Sequence, residues 1–122
     1  MITNLNTVTL YVTDQHRSTR FYVDDLGFDL RTDSDMGEMG RWVEVAPKGA
    51  RTGFVIADAA GFDKADRVGQ SADVTMNCTD VVELHAELTA KGVTVTDPET
   101  QPFGTFIKVT DPDGHEFVIS QS

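Results

Sequence analysis

Residues 73–96 read DVTMNCTDVVELHAELTAKGVTVT. Apolar and polar side chains alternate through Cys78, the pattern switches at Asp80 to a helical period, stops at Gly92 and alternates again. That order is strand, capped helix, glycine stop, strand. Asp80 and Glu83 have the spacing of a capping box, with Asp in place of Ser or Thr, and Val81, Leu84, His85 and Leu88 fall on one helical face. Residues 7–32, TVTLYVTDQHRSTRFYVDDLGFDLRT, repeat the order, with Asp14 as the cap and Gly27 as the stop.

Working outward, each copy is followed by two more strand-like runs. In the first half these are RWVEVA (41–46) and TGFVIA (52–57); in the second they are GTFIKVT (104–110) and HEFVIS (115–120). APKGAR and TDPDGH are the hairpin connections, where proline and glycine supply the backbone angles of a turn. Each half is therefore strand, helix, three strands. Residues 58–70, DAAGFDKADRVGQ, carry glycines and charges without a clear period and read as a connecting segment that can also serve as a lid.

Composition narrows the function. A chain of 122 residues with 39% hydrophobic content can bury a core without a staple. Ten basic against twenty acidic residues give a net charge of -10, which disfavours nucleic acid and anionic membrane surfaces as partners. No apolar run approaches a membrane span, and MITNLNTVTL lacks the features of a signal peptide, so a cytoplasmic location is expected. Cys78 is the single cysteine, which excludes an internal disulfide and suits a small core filler.

Side chains on a strand alternate between faces, so the two faces can be sorted by parity. Val8, Leu10, Val12, Val43, Val45, Val55, Val74, Met76, Cys78, Ile107, Val109, Phe117 and Ile119 are expected under the helices. Thr7, Thr9, Tyr11, Trp42, Glu44, Phe54, Ile56, Asp73, Thr75, Asn77, Phe106, Lys108, Val118 and Ser120 are expected on the other face. An antiparallel sheet can leave such a face to water, but Trp42, Phe54 and Phe106 suit the wall of a small-molecule cavity better.

The chain resembles the vicinal oxygen chelate superfamily, which includes glyoxalases (lactoylglutathione lyases), extradiol dioxygenases, and fosfomycin and bleomycin resistance proteins. The resemblance rests on LYVTDQHRSTRFYVDDLGF (10–28), MGRWVEVAPKG (39–49), LTAKGV (88–93) and PFGTFIKVTDPDGHEF (102–117), in that order and with the internal repeat. It implies an α+β fold in which two βαβββ modules form curved mixed sheets with helices on the outer face. The expected organisation is one domain, 1–122, made of module 1–60 and module 71–122 joined by linker 61–70. It also implies a homodimer, with cavities formed by the first half of one chain and the second half of its mate, or within one chain. Metal-using relatives hold a divalent ion with His from the first strand and Glu from the last strand of each half. Those positions fall here at Thr7, Phe54, Asp73 and Val118, of which only Asp73 offers a charged oxygen, so no metal or other cofactor is expected. Glu116 shares a face with Val118, and a register error could restore that one ligand.

The leading expectation is metal-independent binding or sequestration of a small, partly aromatic or amphipathic molecule, as in bleomycin-resistance-like proteins. Thr7, Tyr11, Trp42, Glu44, Phe54, Asp73, Phe106 and Val118 are the expected ligand-binding residues. The alternative is a divergent glyoxalase- or extradiol-dioxygenase-like enzyme, either with a metal or as a lyase or isomerase with Asp73 or Glu44 as general base beside Lys108. A dimerisation module is a third class. His16 and His115 are expected to be solvated, and His85 to lie at the core boundary. Met36 and Met39 flank MGEMG, a connection expected to flex over the cavity mouth.

Overall fold

Strand β1 (Thr7–Val12) leads into helix α1 (Gln15–Arg20), which continues as a π-helical turn, Phe21–Asp25. Strand β2 (Asp29–Asp35), a 3-10 turn (Gly37–Met39), β3 (Arg41–Ala46) and β4 (Gly53–Asp58) complete the first sheet, ordered β1-β4-β3-β2 with β1 and β4 parallel. After a second 3-10 turn (Ala65–Arg67) come β5 (Thr75–Cys78), α2 (Val81–Ala90), β6 (Thr94–Val95), β7 (Glu99–Gln101), β8 (Gly104–Thr110) and β9 (Glu116–Gln121). The second sheet is ordered β5-β9-β8-β6, with β5 and β9 parallel and β7 also paired to β8. The structure is a computed structural model that describes residues 1–70 and 73–121. Residues 71, 72 and 122, where the second module is expected to begin and end, lie outside the described residues.

The caps form as the spacing requires. The Asp14 carboxylate accepts from the Arg17 amide at 3.1 Å, and the Asp80 carboxylate from the Glu83 amide at 3.0 Å. Gly27 and Gly92 both take φ +77°, a left-handed C-terminal stop that glycine adopts without penalty. The helices differ in their last turns. The wider π turn carries Phe21 and Tyr22 into the core, and Lys91, just beyond α2, donates to the carbonyls of Asp24 and Asp25 at 3.0 and 3.3 Å.

Both sheets turn their helix-side faces to one shared core. Phe54 of the first half stacks on Phe117 of the second at 5.2 Å and 29°, and the Tyr22 ring meets both at 5.6 and 6.3 Å. The helix-free faces are thereby turned away from the core.

That stack corrects the expected parity of β4. Phe54 and Ile56 were expected on the helix-free face, yet Val8 and Val45 flank Phe54 while Leu10 and Val43 flank Ile56, so both point to the helices. Val55, expected under the helices, lies between Thr9 and Glu44 on the helix-free face. The cause is that β4 is an inner strand. Residues 53–57 are all buried, and a strand covered on both faces reads as an unbroken apolar run without usable alternation.

The turn DPDGH (111–115) is more than a hairpin connection. Asp113, with its side chain only 2% exposed, accepts from the Thr13 amide (3.2 Å), the Thr13 hydroxyl (2.7 Å), the Ser18 hydroxyl (3.1 Å) and the Arg17 guanidinium (3.1 Å). Asp111 accepts from the Tyr22 hydroxyl at 2.7 Å and from the amides of Asp113 and His115. Burial, reinforced by the Asp111 carboxylate, holds the Tyr22 hydroxyl far above the usual phenol range. His115, expected to be solvated, is 1% exposed. Its Nε2 lies 2.9 Å from the Tyr11 carbonyl and 3.3 Å from the Gly69 amide, while Nδ1 has no partner among the described residues. The second half is thus fastened onto the start of the first. His16 is exposed, and His85 is half-buried 3.4 Å from Asp97, both as expected.

Candidate functional site

On the helix-free face of the second sheet, Asp73, Thr75, Lys108, Glu116 and Val118 line a cleft of about 200 Å³. The registers explain the grouping. Thr75 on β5 and Lys108 on β8 both stand opposite Val118 on β9, and Glu116 is two residues along the same face. Asp73, Lys108 and Glu116 are exposed, and among the described residues none of the three forms an ion pair. Phe106 stands opposite Ser120 on this face and is covered by Phe103, which stacks on it at 5.5 Å and 24°.

On the helix-free face of the first sheet, Thr9 and Glu44 flank Val55, and Thr7 stands opposite Gly53. Glu44 is committed on both oxygens. One lies 3.3 Å from the Arg31 guanidinium, and the other accepts from the Trp42 indole at 3.3 Å. Trp42 remains 37% exposed, so its ring is held by the edge and presented by the face.

Tyr11 lies at the other end of this face. The Phe62 ring meets it edge-on at 6.4 Å and the Arg67 guanidinium sits 5.8 Å from its centroid, so the connecting segment covers Tyr11 and leaves Trp42 open. Just past the MGEMG connection the start of β3 is held by Gln15, whose side-chain amide donates to the carbonyls of Arg41 (2.6 Å) and Ile56 (2.9 Å) while its oxygen accepts from the Arg41 amide (3.2 Å).

The eight expected residues therefore fall into separate groups. Asp73 and Val118 meet in one cleft, Trp42 and Glu44 meet on the other sheet, Tyr11 is covered, and Phe54 is buried in the core. Glu44 lies on the first sheet, whereas Asp73 just precedes β5 and meets Lys108 at the second, so one chain does not assemble the three as an acid–base group. Sequence reasoning passed over Arg31, Val55 and Thr75 as site residues, and named Glu116 only as a ligand that a register error could restore. Val55 was legible, because GFVIA (53–57) repeats as EFVIS (116–120) and places Val55 at the position of Val118. Arg31 reaches Glu44 at a register shift between Leu30 and Thr32, which no sequence pattern announces.

The model of the Glyoxalase/Bleomycin resistance protein/Dioxygenase superfamily matches residues 4–119. The chain belongs to this superfamily. It is 33% identical over 122 residues to the uncharacterized Bacillus subtilis protein YetH, covering 99% of this chain and 100% of YetH. Among solved structures it is similar to TnmS3, an antibiotic-binding protein from a Streptomyces species, with 32% identity, a TM-score of 0.82 and coverage of 98% and 96% of the two chains. A superfamily member from Sphaerobacter thermophilus superposes with a TM-score of 0.85 at 28% identity, covering 99% and 98%.

The superfamily's four-ligand metal site does not fit these residues. Val55 and Val118 occupy the helix-free face of the last strand in each half and offer no donor atom. Phe54 can neither ligate nor reach that face. Among the described residues no three His, Cys, Asp or Glu side chains are grouped closely enough to hold a metal. No helix among them is long and apolar enough to cross a membrane.

Proposed function

We propose that the protein binds and sequesters a small, partly aromatic or amphipathic molecule on its helix-free faces without a metal ion. The observation that carries this reading is the pair of valines, Val55 and Val118, at equivalent positions of the repeat, with an aromatic residue standing on the neighbouring strand of each half, Trp42 and Phe106. An apolar floor flanked by aromatic and a few polar groups recognises shape and ring stacking and polarises nothing. Similarity to an antibiotic-binding protein at 32% identity supports the same reading.

The working form is a homodimer in the cytoplasm. Because the halves share their helix-side faces, a closed cavity forms when the first half of one copy meets the second half of its mate, each chain acting as one domain of two modules. Trp42 and Glu44 of one copy then face Asp73, Phe106, Lys108 and Val118 of the other, with Thr7 at the edge and Tyr11 under its cover.

Trp42 is the only tryptophan, so its emission reports this site directly. Titration with planar aromatic compounds is expected to quench it saturably, and Trp42→Ala to weaken binding at least tenfold, followed by calorimetry. Protein exposed to manganese, iron, nickel and zinc and then dialysed is expected to retain no stoichiometric metal. Retention of about one equivalent per chain would overturn the metal-free reading, and an exclusively monomeric species in light scattering would overturn the shared cavity.

A further inference from the structure

A second cavity system lies in the seam between the halves. One chamber, of about 210 Å³, opens between Val8 and Phe54 of the first half and Val74 and Met76 of the second. Its neighbour, of about 330 Å³, is lined by Leu26, Cys78, Leu84 and Ile119. The chambers share Phe28, Pro47, Met76 and Asn77 and so form one crevice. For scale, an apolar cavity of about 150 Å³ holds a benzene ring.

The crevice is the part of the core left unfilled. Val8, Leu26, Val74, Met76, Cys78 and Leu84 pack against the core yet stay partly exposed, and all six line it. Partly wetted apolar walls of this kind gain most from an apolar guest. Burial raises the Cys78 thiol above its ordinary value, so it contributes apolar wall and no nucleophile.

The polar groups of the crevice give it a direction. Lys48 stands at the wider chamber, exposed, and among the described residues its ammonium has no carboxylate within ion-pair distance. Thr52 and Asn77 add neutral polar groups to the narrower chamber. A lone ammonium beside an apolar trough is complementary to an anionic head on an apolar body. The chain carries a net charge of -10 and the Asp80 carboxylate bears on Cys78 in the same chamber, but Lys48 is the cationic side chain among the described residues that line the crevice.

We propose that this crevice binds an anionic amphiphile, with its chain or ring system along Phe28 and Met76 and its carboxylate or sulfonate at Lys48. The crevice meets the helix-free cleft of the second sheet at Val74 and Thr75, which line both, while Trp42 stands on the other sheet.

The test uses the intact protein with anilinonaphthalene sulfonate and decanoate as probes. The dye's emission is expected to rise to saturation at about one equivalent per chain, and decanoate to displace it. Lys48→Glu is expected to weaken both probes at least tenfold, and Met76→Phe, which fills the crevice, to abolish saturable dye binding. If Met76→Phe disturbs folding, as read by circular dichroism, Lys48→Glu at its exposed position decides alone. Absence of saturable emission, or an affinity that Lys48→Glu leaves unchanged, overturns the proposal. Because Trp42 emission reports the other site, failure there and failure here are read separately.

Discussion

The turn between the last two strands occurs twice in this molecule, and its two copies have opposite fates. In the first half, residues 47–51 are exposed, with one backbone bond, Ala50 amide to Pro47 carbonyl at 3.0 Å, closing the turn. In the second half, Asp111 and His115 are buried and Asp113 is almost completely covered, and each side chain of the three reaches a partner outside the turn. Equal topology therefore does not imply equal energetic weight. What separates the copies is whether a carboxylate finds several donors at once, since a buried charge is tolerated only when paired and hydrogen-bonded.

The strongest way to break the comparison is through the stack that both halves build. Phe117→Ala empties the contact with Phe54 and Tyr22 and is expected to cost about 4 kcal/mol. Urea denaturation followed by circular dichroism measures it, and a loss under about 1 kcal/mol would show the halves folding independently of that contact.

Next in size, Asp113→Ala leaves four donors of α1 and its approach without their acceptor and is expected to cost about 3 kcal/mol. Lys48→Ala in the first-half turn is expected to stay within about 0.5 kcal/mol. If the two variants matched in urea midpoint, the distinction between fastener and connection would be lost.

A smaller loss than that of Asp113→Ala sharpens the comparison by its pH dependence. Tyr22→Phe removes the hydroxyl that Asp111 accepts and is expected to cost about 1.5 kcal/mol near neutrality. The folded state holds Tyr22 protonated above its ordinary value of 10.0. Above pH 10 the unfolded chain therefore releases a proton that the folded chain keeps, and stability falls as pH rises. Thermal melts between pH 8 and pH 11 are expected to show a shallower alkaline decline in Tyr22→Phe. A decline as steep as the parent's would place its origin elsewhere.

Much of the fold was legible because its signals are local. β1, β3 and β8 span the residues the alternation marked, and both caps and both glycine stops fall where spacing put them. β7 was not legible, since Glu99–Gln101 is polar and pairs only because β8 lies beside it. Of the site, the pairing of Trp42 with Glu44 and of Asp73 with Val118 followed from strand parity. Phe54 failed because an inner strand with apolar residues on both faces hides its own parity, although the repeated FVI of residues 54–56 and 117–119 contained the answer.

By itself, then, the sequence determined two copies of strand, helix and three strands, an acidic composition, and a last strand that carries Val118 where metal-using relatives carry a carboxylate. Those features rest on side-chain type and on spacing within a few residues, which the backbone converts directly into hydrogen bonds and faces. Only the tertiary structure decided that DPDGH is a buried fastener, that Glu44 and Asp73 belong to separate sites, and that an apolar crevice remains between the halves. Each depends on contacts between residues far apart in the chain, about 100 for Thr13 and Asp113, and such contacts exist only once both halves have found each other.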